Sequence, residues 1–125
     1  MTEDVFDIIP IVAEALKPIS DEGYTVQSGW YDDDIGKTHI TFLELNDNTQ
    51  DTSDDEEESV NHLVQVDVWS FSDVESNRLK ENVKLLLLGS GFSYEDGQNL
   101  PEIKDGKKFY HRAIRVTYCE NKLEY

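Results

Sequence analysis

Acidic side chains are concentrated in one segment of the 125-residue sequence, and carboxylate oxygens are the ligands that hard cations prefer. Five acids follow one another from Asp54 to Glu58, inside a longer polar segment from Asn46 to Ser59. A calcium-binding loop needs a glycine at its sixth position, but counting from Asp47 the sixth residue is Thr52. We therefore expect no metal site here, and we interpret the segment as a solvated, self-repelling loop.

A second candidate for chemistry is Glu102-Ile103-Lys104, which has the acid-x-lysine spacing of many metal-dependent nucleases. In such sites the glutamate binds magnesium, the lysine positions water, and a second carboxylate must lie close in space. Asp96 is the nearest candidate in sequence. The motif follows Pro101 and precedes Asp105-Gly106, whereas a nuclease would place it in a buried strand. We predict a surface loop at this motif.

The remaining reactive residues form no catalytic set. His39, His62 and His111 are far apart in sequence, and none has a neighbour at the spacing of metal ligands. Cys119 has no adjacent helix start and no second cysteine to lower its pKa. No glycine-rich phosphate loop follows a predicted strand. The sequence predicts a protein that is not an enzyme and that binds no metal or cofactor.

Apolar periodicity places a first helix from Asp4 to about Leu16. Pro10 must lie in its first turn or kink it, and Pro18 is expected to end it. Ser72-Asp73-Val74-Glu75 is a capping box and predicts a second helix from Asp73 to about Leu88. Gly89 is the predicted left-handed C-terminal stop of that helix.

Alternating and β-branched residues predict five strands. The strongest is His62 to Phe71, in which three valines face one side, while Asp67, Trp69 and Phe71 face the other. The valine face suits a core under helices, and the mixed face suits a subunit contact. The other predicted strands are Tyr24–Trp30, Thr38–Leu45, Gly91–Glu95 and Lys107–Cys119, with a polar loop at Gly97–Gly106 and a loose tail at Glu120–Tyr125.

These elements predict one α+β domain over residues 1–125, in the order α-β-β-β-α-β-β. Consecutive strands with short connections favour a mainly antiparallel sheet of about five strands. The two helices most simply pack on one face of that sheet.

The formal net charge of −16 excludes an open nucleic-acid-binding surface, because such binding needs Lys and Arg to neutralise phosphates. No apolar run approaches the roughly 20 residues of a membrane span. The acidic N-terminus lacks the features of a targeting signal, and the single cysteine fits a reducing compartment. We expect a cytoplasmic protein without a membrane anchor.

The charge is unevenly distributed, with 11 acids against one base between Asp32 and Glu58 and 8 bases against 5 acids between Arg78 and Arg115. Oppositely charged segments can meet head to tail between identical subunits, and such a contact can close into a ring. Raised salt should weaken a ring held in this way. The residues predicted to lie at the subunit interface are Asp67, Trp69, Phe71, Arg78, Lys80, Lys84, Arg112 and Arg115.

The segment HLVQVDVWSFSDVESNRLKENVKLLLLGSGF, together with KKFYHRAIRVTYCE, resembles the tail-completion or tail-terminator proteins of long-tailed bacteriophages and prophages. The matching features are the strand Val64–Ser70, the step Gly91-Phe92, and the pattern of Tyr110-His111, Arg115 and Tyr118. Ile40–Leu45 and the N-terminal helix also fit, so the resemblance covers most of the chain.

The resemblance implies a hexameric ring that stops growth of the tail tube and joins the tail to the head connector, with DNA passing through its hole. It implies contacts with further copies of the chain, with the tail tube protein and with the head–tail connector protein, and a place in the virion tail after assembly in the bacterial cytoplasm. An acidic lumen would not grip DNA. The residues predicted to line or rim the hole are Asp51, Asp54, Asp55, Glu56, Glu57 and Glu58.

Two other interpretations stay open. The net charge fits an acidic DNA-mimic decoy that blocks a nuclease or repressor, although a mimic should spread its acids over one face. The second alternative is the adjacent head-closure component of the same kind of particle. Both differ from the tail terminator in their partners.

Overall fold

The computed structural model describes residues 6–32, 37–51, 58–104 and 106–121. These residues form one five-stranded sheet with the strand order β1-β2-β3-β5-β4, in which β1 is parallel to β2 and all other neighbours are antiparallel. The predicted α+β class with a mainly antiparallel sheet is confirmed. The elements are α1 (Ile8–Ala15), α2 (Lys17–Asp21), β1 (Thr25–Ser28), β2 (His39–Asp51), β3 (Glu58–Ser70), α3 (Asp73–Gly89), β4 (Ser93–Lys104) and β5 (Lys107–Asn121).

The N-terminal segment forms two short helices where the sequence predicted one. α1 begins where the Asp7 side chain accepts a hydrogen bond from the N–H of Ile9 at 3.0 Å. Pro10 lies in its first turn, where the N–H groups have no intrahelical partner, so the helix is not kinked there. As predicted, the first helix does not continue through Pro18: α1 ends at Ala15 with Leu16 as its C-cap, and Pro18 lies in the first turn of the separate helix α2. A proline is as well accommodated at that position as Pro10 is in α1.

One half of the predicted capping box of α3 is present. The Ser72 hydroxyl accepts a hydrogen bond from the N–H of Glu75 at 3.1 Å. The Glu75 carboxylate does not return the bond, because it accepts from the hydroxyls of Tyr24 at 2.5 Å and Thr38 at 2.9 Å. The Tyr24 hydroxyl, with the help of Thr38 and the charge of Arg78, outweighs burial and lowers the pKa of Glu75. This carboxylate therefore joins α3 to β1 and to the start of β2.

The C-terminal stop of α3 is displaced by two residues from its predicted position. Gly89 is the last helical residue, and Gly91 takes the left-handed conformation with φ of 96°. The N–H of Phe92 then donates to the carbonyl of Leu87 at 3.0 Å, which satisfies one of the open carbonyl groups of the last turn.

The core lies between the helices and one face of the sheet. Val64, Val66 and Val68 of β3 are at most 1 % exposed and face the helices, as predicted. Burying each such side chain contributes about 1.5–3 kcal/mol. The helices contribute Ile8, Val12, Leu16, Ile19, Leu79, Val83 and Leu87, and the other strands contribute Ile40, Phe42, Ile114 and Val116.

Two segments predicted as loops are largely strand. β2 and β3 stay paired to the last described pair, Asp51 with Glu58, so only residues 52–57 of the predicted acidic loop lie outside the described residues. β4 pairs with β5 from Ser93 opposite Thr117 to Lys104 opposite Lys107, which makes the predicted loop at 97–106 wrong for residues 97–104. β5 extends to Asn121, two residues beyond the predicted end. Alternation of apolar and polar residues arises where one face of a strand is buried, and residues 98–103 of β4 are exposed.

Candidate functional site

The described residues at both ends of the acidic segment lie on two paired strands. We call the segment 47–62 the acidic hairpin after this pairing, which begins with Asp47 opposite His62 and continues to the pair Asp51–Glu58. β5 runs beside it as far as the pair of Ser59 with Asn121. Of the acids predicted to line a hole, Asp51 and Glu58 therefore lie on paired strands. Asp54, Asp55, Glu56 and Glu57 lie outside the described residues.

His62 holds three strands together at the base of the acidic hairpin. Its Nδ1 lies 2.6 Å from Oε2 of Glu44 on β2, and its Nε2 lies 3.0 Å from Oε1 of Glu120 on β5. The side chain of His62 is only 7 % exposed, and its ring packs 4.7 Å from that of Phe6, measured between centroids. The register explains the cluster. Glu44 pairs with Val64, two residues along β3 from His62, and Glu120 lies two residues along β5 from Tyr118, which pairs with His62.

The electrostatics of this cluster favour a charged imidazole. Burial alone lowers the pKa of His62, but the hydrogen bonds to Glu120 and Glu44 and the charges of both carboxylates outweigh burial and raise the pKa above its usual value. Both nitrogens face carboxylates, and both can donate at the same time only when the ring is protonated. His62 then offsets part of the repulsion between these carboxylates.

The same cluster is the group of described residues with metal-ligand geometry. Glu44, Asp47 and His62 each offer a ligand atom within 4.8 Å of the others. A protonated imidazole has no lone pair for a metal, so His62 could become a ligand only after losing its proton. Sequence spacing missed this group, because His62 lies on β3 whereas Glu44 and Asp47 lie on β2. The prediction that the chain binds no metal stays a prediction.

The sheet face opposite the helices carries a buried polar cluster. Asp67 is fully buried, and its Oδ1 lies 2.6 Å from Nε2 of His111 and accepts from the Gln65 amide at 2.8 Å. Among the described residues, its Oδ2 is buried and accepts no hydrogen bond. Trp69 stacks on His111 with ring centroids 3.8 Å apart and donates to Thr41 at 2.9 Å. Asp67 and Trp69, which were predicted to lie at a subunit interface, are already buried within the chain.

The pair His111–Asp67 has the spacing of the orienting half of a hydrolytic triad. The second nitrogen of His111, Nδ1, lies 3.5 Å from Oε2 of Glu102, so it also faces a carboxylate. A general base would need that nitrogen directed at a hydroxyl or thiol. We therefore interpret the pair as part of the buried polar cluster.

The nuclease-like motif does not assemble a two-carboxylate site. Glu102 and Asp96 lie on the same strand, β4, where they pair with Phe109 and Arg115. Six residues of strand separate their backbones by about 20 Å, far beyond the reach of one metal ion. The Glu102 side chain is 49 % exposed. The motif does lie in a strand, contrary to the predicted loop, but this strand is exposed.

The cations predicted to cross a subunit boundary make contacts inside the chain. Arg112, with a side chain only 11 % exposed, donates to the Ser76 hydroxyl at 2.7 Å and pairs with Asp73. Arg78 donates to the Tyr24 hydroxyl at 2.9 Å. Both arginines therefore hold α3 against the sheet.

The remaining three cations have weaker partners. Lys80 donates to the Asn99 side chain at 3.4 Å, and Lys84 lies 4.2 Å from the ring centroid of Tyr94. Arg115 donates to Gln65 at 3.3 Å and lies 3.9 Å from a carboxylate oxygen of Asp96.

Phe71, which was also predicted to lie at the subunit interface, is 42 % exposed, and its ring centroid lies 5.0 Å from that of Phe109.

These features define a class of protein: a small α+β domain with helices on one face of the sheet, a buried polar cluster on the other, and a strongly acidic hairpin at one end. No described helix has both the length and the apolar character that crossing a membrane would require.

No family model matches the sequence, and no curated protein matches it. A chain in the solved structure of the virion of a native gene transfer agent (GTA) particle has the same fold, with a TM-score of 0.64. The two chains are 12 % identical, and the match covers 87 % of this chain and 91 % of the other. At that identity the similarity establishes the fold.

Proposed function

We propose that this chain is a structural protein of a phage-like particle. The observation that carries the proposal is the likeness to a virion chain over nearly the whole of both folds. The sequence resemblance to tail-terminator proteins, which rests on other evidence, agrees with it. More specifically, we propose a hexameric ring of identical subunits that caps the tail tube and joins it to the head connector.

The proposed ring needs surfaces and no reacting group. In support, both nitrogens of His111 face carboxylates, and the backbones of Glu102 and Asp96 are held about 20 Å apart on one strand. Among the described contacts, no nucleophile or base is positioned for catalysis, and this fits a protein whose role is assembly. The proposal is therefore that the chain is not an enzyme.

We assign the acidic hairpin to the hole of the ring. It extends the sheet at one end and carries only acids among its ionisable groups apart from His62. Carboxylates around a hole would repel passing DNA and prevent it from sticking to the wall. The sequence concentrates these acids at one hairpin, which argues against a DNA-mimic decoy with phosphate-like spacing over a whole face.

The assembly role is tested with the purified protein, alone and mixed with the tail tube protein, by measuring particle mass. We expect rings, and in infected cells lacking the protein we expect tails of uncontrolled length in electron micrographs. Recovery of a host DNA-binding protein as the specific partner would favour the decoy. Binding only to connector proteins, with normal tail length, would favour head closure.

The role of the hairpin is tested by replacing its acids with serine while leaving Glu44, His62 and Glu120 in place. We expect rings of normal mass and slower or incomplete DNA ejection. Unchanged ejection would remove the assignment of these acids to the hole. The six substituted residues are Asp51, Asp54, Asp55, Glu56, Glu57 and Glu58.

A further inference from the structure

The end of the β4–β5 hairpin exposes an apolar side chain that the fold does not cover. Ile103 is 78 % exposed and pairs across the hairpin with Lys108, so the two side chains lie on the same face. That face is the one that carries the helices. The first turn of α3 contacts Arg112, four residues further along β5, and Asp73 in that turn lines a pocket with Pro101 and Tyr110. Ile103 and Lys108 lie nearer the end of the β4–β5 hairpin than these contacts.

The opposite end of the same face has an apolar groove. It has a volume of about 580 Å³ and lies between α1, α2 and the end of α3. Among the described residues that line it, Glu14 is the one with a charge, and it is exposed. The other lining residues are Pro10, Ile11, Ala15, Pro18, Leu86 and Ser90.

The two features lie too far apart to meet within one chain. Ser90 lines the groove and β4 begins at Ser93, whereas Ile103 lies ten residues down that strand. At about 3.3 Å per residue, the strand separates them by about 30 Å. Because they lie at opposite ends, Ile103 and the groove can contact each other only when they belong to two different copies of the chain arranged head to tail. Contacts of this kind can close into rings.

We propose that Ile103 of one copy inserts into the groove between α1, α2 and α3 of the next copy, with Lys108 beside Glu14. This contact deepens the ring proposed above and rests on it. An apolar anchor in an apolar groove with a charge pair at the rim is the usual anatomy of an interface hot spot. The basic hairpin end and the acidic groove rim fit each other in sign, and each would repel a second copy of itself.

The anchor is tested by Ile103→Ser, with Val74→Ser as the matched control. Both side chains are β-branched and highly exposed, Val74 at 80 % on α3, so neither change should unfold the chain. Loss of the anchor should weaken subunit association at least about ten-fold, measured by sedimentation equilibrium, and the control should not change it. Equal association constants for Ile103→Ser and the wild-type chain would overturn the proposal.

The charge pair is tested by exchanging its signs. Glu14→Lys and Lys108→Glu should each weaken association about five-fold, because each places like charges together. The double variant should restore most of the loss. A general effect of net charge predicts the opposite result for Glu14→Lys, because that change makes the chain two charges less negative and should then strengthen association. Additive losses in the double variant would place the two residues in separate contacts and contradict the proposal.

Covalent trapping gives a direct readout. A chain with Cys119→Ser, Glu14→Cys and Ile103→Cys has two thiols too far apart for an internal disulfide, which needs Cα atoms within about 7 Å. Mild oxidation should yield a ladder of covalent oligomers that ends at the ring. Rings that form normally but give only monomer after oxidation would overturn this contact and leave the ring intact. A wild-type chain that stays monomeric even with the tail tube protein would overturn the ring, and the contact with it.

Discussion

At the base of the acidic hairpin, a single imidazole lies between two carboxylates. Its Nδ1 and Nε2 are 2.6 Å and 3.0 Å from Glu44 and Glu120, and these contacts raise the pKa of His62 despite its burial. A group whose pKa is raised by folding stabilises the native state fully below its unfolded pKa of about 6.5. That contribution is lost as the pH rises through the higher pKa of the folded state.

His62→Gln should therefore reduce stability in a pH-dependent way. At pH 6 we expect a loss of about 1.5–3 kcal/mol, the range for hydrogen bonds to charged groups. The difference between the wild-type chain and the variant should shrink as the pH is raised toward 9, because the wild-type imidazole loses its proton there. Urea denaturation of the wild-type chain and the variant at a series of pH values measures the loss of stability at pH 6 and its decrease at higher pH. A constant difference over that range would show that the charge of His62 has no part in it.

Glu75 is a second group whose pKa is shifted by hydrogen bonds made in the fold, and here the pKa is lowered. The lowered pKa of Glu75 means that its contribution is present above its usual pKa and is lost as the pH falls through the folded value. Tyr24→Phe removes the shorter of its two side-chain hydrogen bonds. We expect a loss of stability at pH 7 that becomes smaller in acid, measured by thermal denaturation.

At the scale of elements, the end of α3 shows how one glycine sets a chain reversal. Gly91 has φ of 96°, and a Cβ there would meet only a Tyr118 ring carbon at 3.8 Å, an ordinary contact. A side chain at position 91 would therefore reduce stability through the left-handed backbone conformation and not through a clash, by about 1–2 kcal/mol. Gly89 is helical, with open space around it, so it carries no such cost.

Gly91→Ala should destabilise the chain by about 1–2 kcal/mol, whereas Gly89→Ala should be neutral or stabilise it by up to about 1 kcal/mol. The two variants are matched in chemistry and differ only in backbone conformation. Guanidinium denaturation of both, beside the wild-type chain, measures the contrast. Equal effects would mean that the reversal does not depend on the left-handed residue.

At the scale of the whole molecule, net charge opposes assembly. Each subunit carries −16, and the basic residues predicted to bridge subunits already have partners within their own chain. Exposed ion pairs contribute about 0–1 kcal/mol each, which is little against the repulsion between such subunits in the proposed six-membered ring. The charge asymmetry in the sequence predicted net electrostatic attraction between subunits, whereas the structure favours net repulsion. The sequence does not show which cations already have partners within their own chain.

We therefore expect ring formation to improve as salt rises from about 0.01 M to 0.15 M, over which the screening length falls from about 30 Å to about 8 Å. Replacing the six acids between Asp51 and Glu58 with serine should flatten that dependence. Light scattering at fixed protein concentration measures both curves. A ring that weakens steadily with salt would restore the earlier prediction, in which arginines and lysines reach across the subunit boundary.

The sequence by itself determined the features that local chemistry controls. The valine face of β3, the start of α3 at Ser72 and the α+β class were all predictable, because periodicity and capping depend on residues close together in the chain. The lengths of β2, β4 and β5 were not, because a polar segment becomes a strand only when a neighbouring strand offers it hydrogen bonds.

Tertiary structure alone decided which side chains meet. Glu44, His62 and Glu120 come from three strands, and Asp67 meets His111 across a sheet register that no local pattern specifies. Likewise, only the fold leaves Ile103 uncovered at one end of the sheet and an apolar groove at the other. Contacts between residues distant in sequence depend on strand order and register, and those are set by the packing of the whole chain.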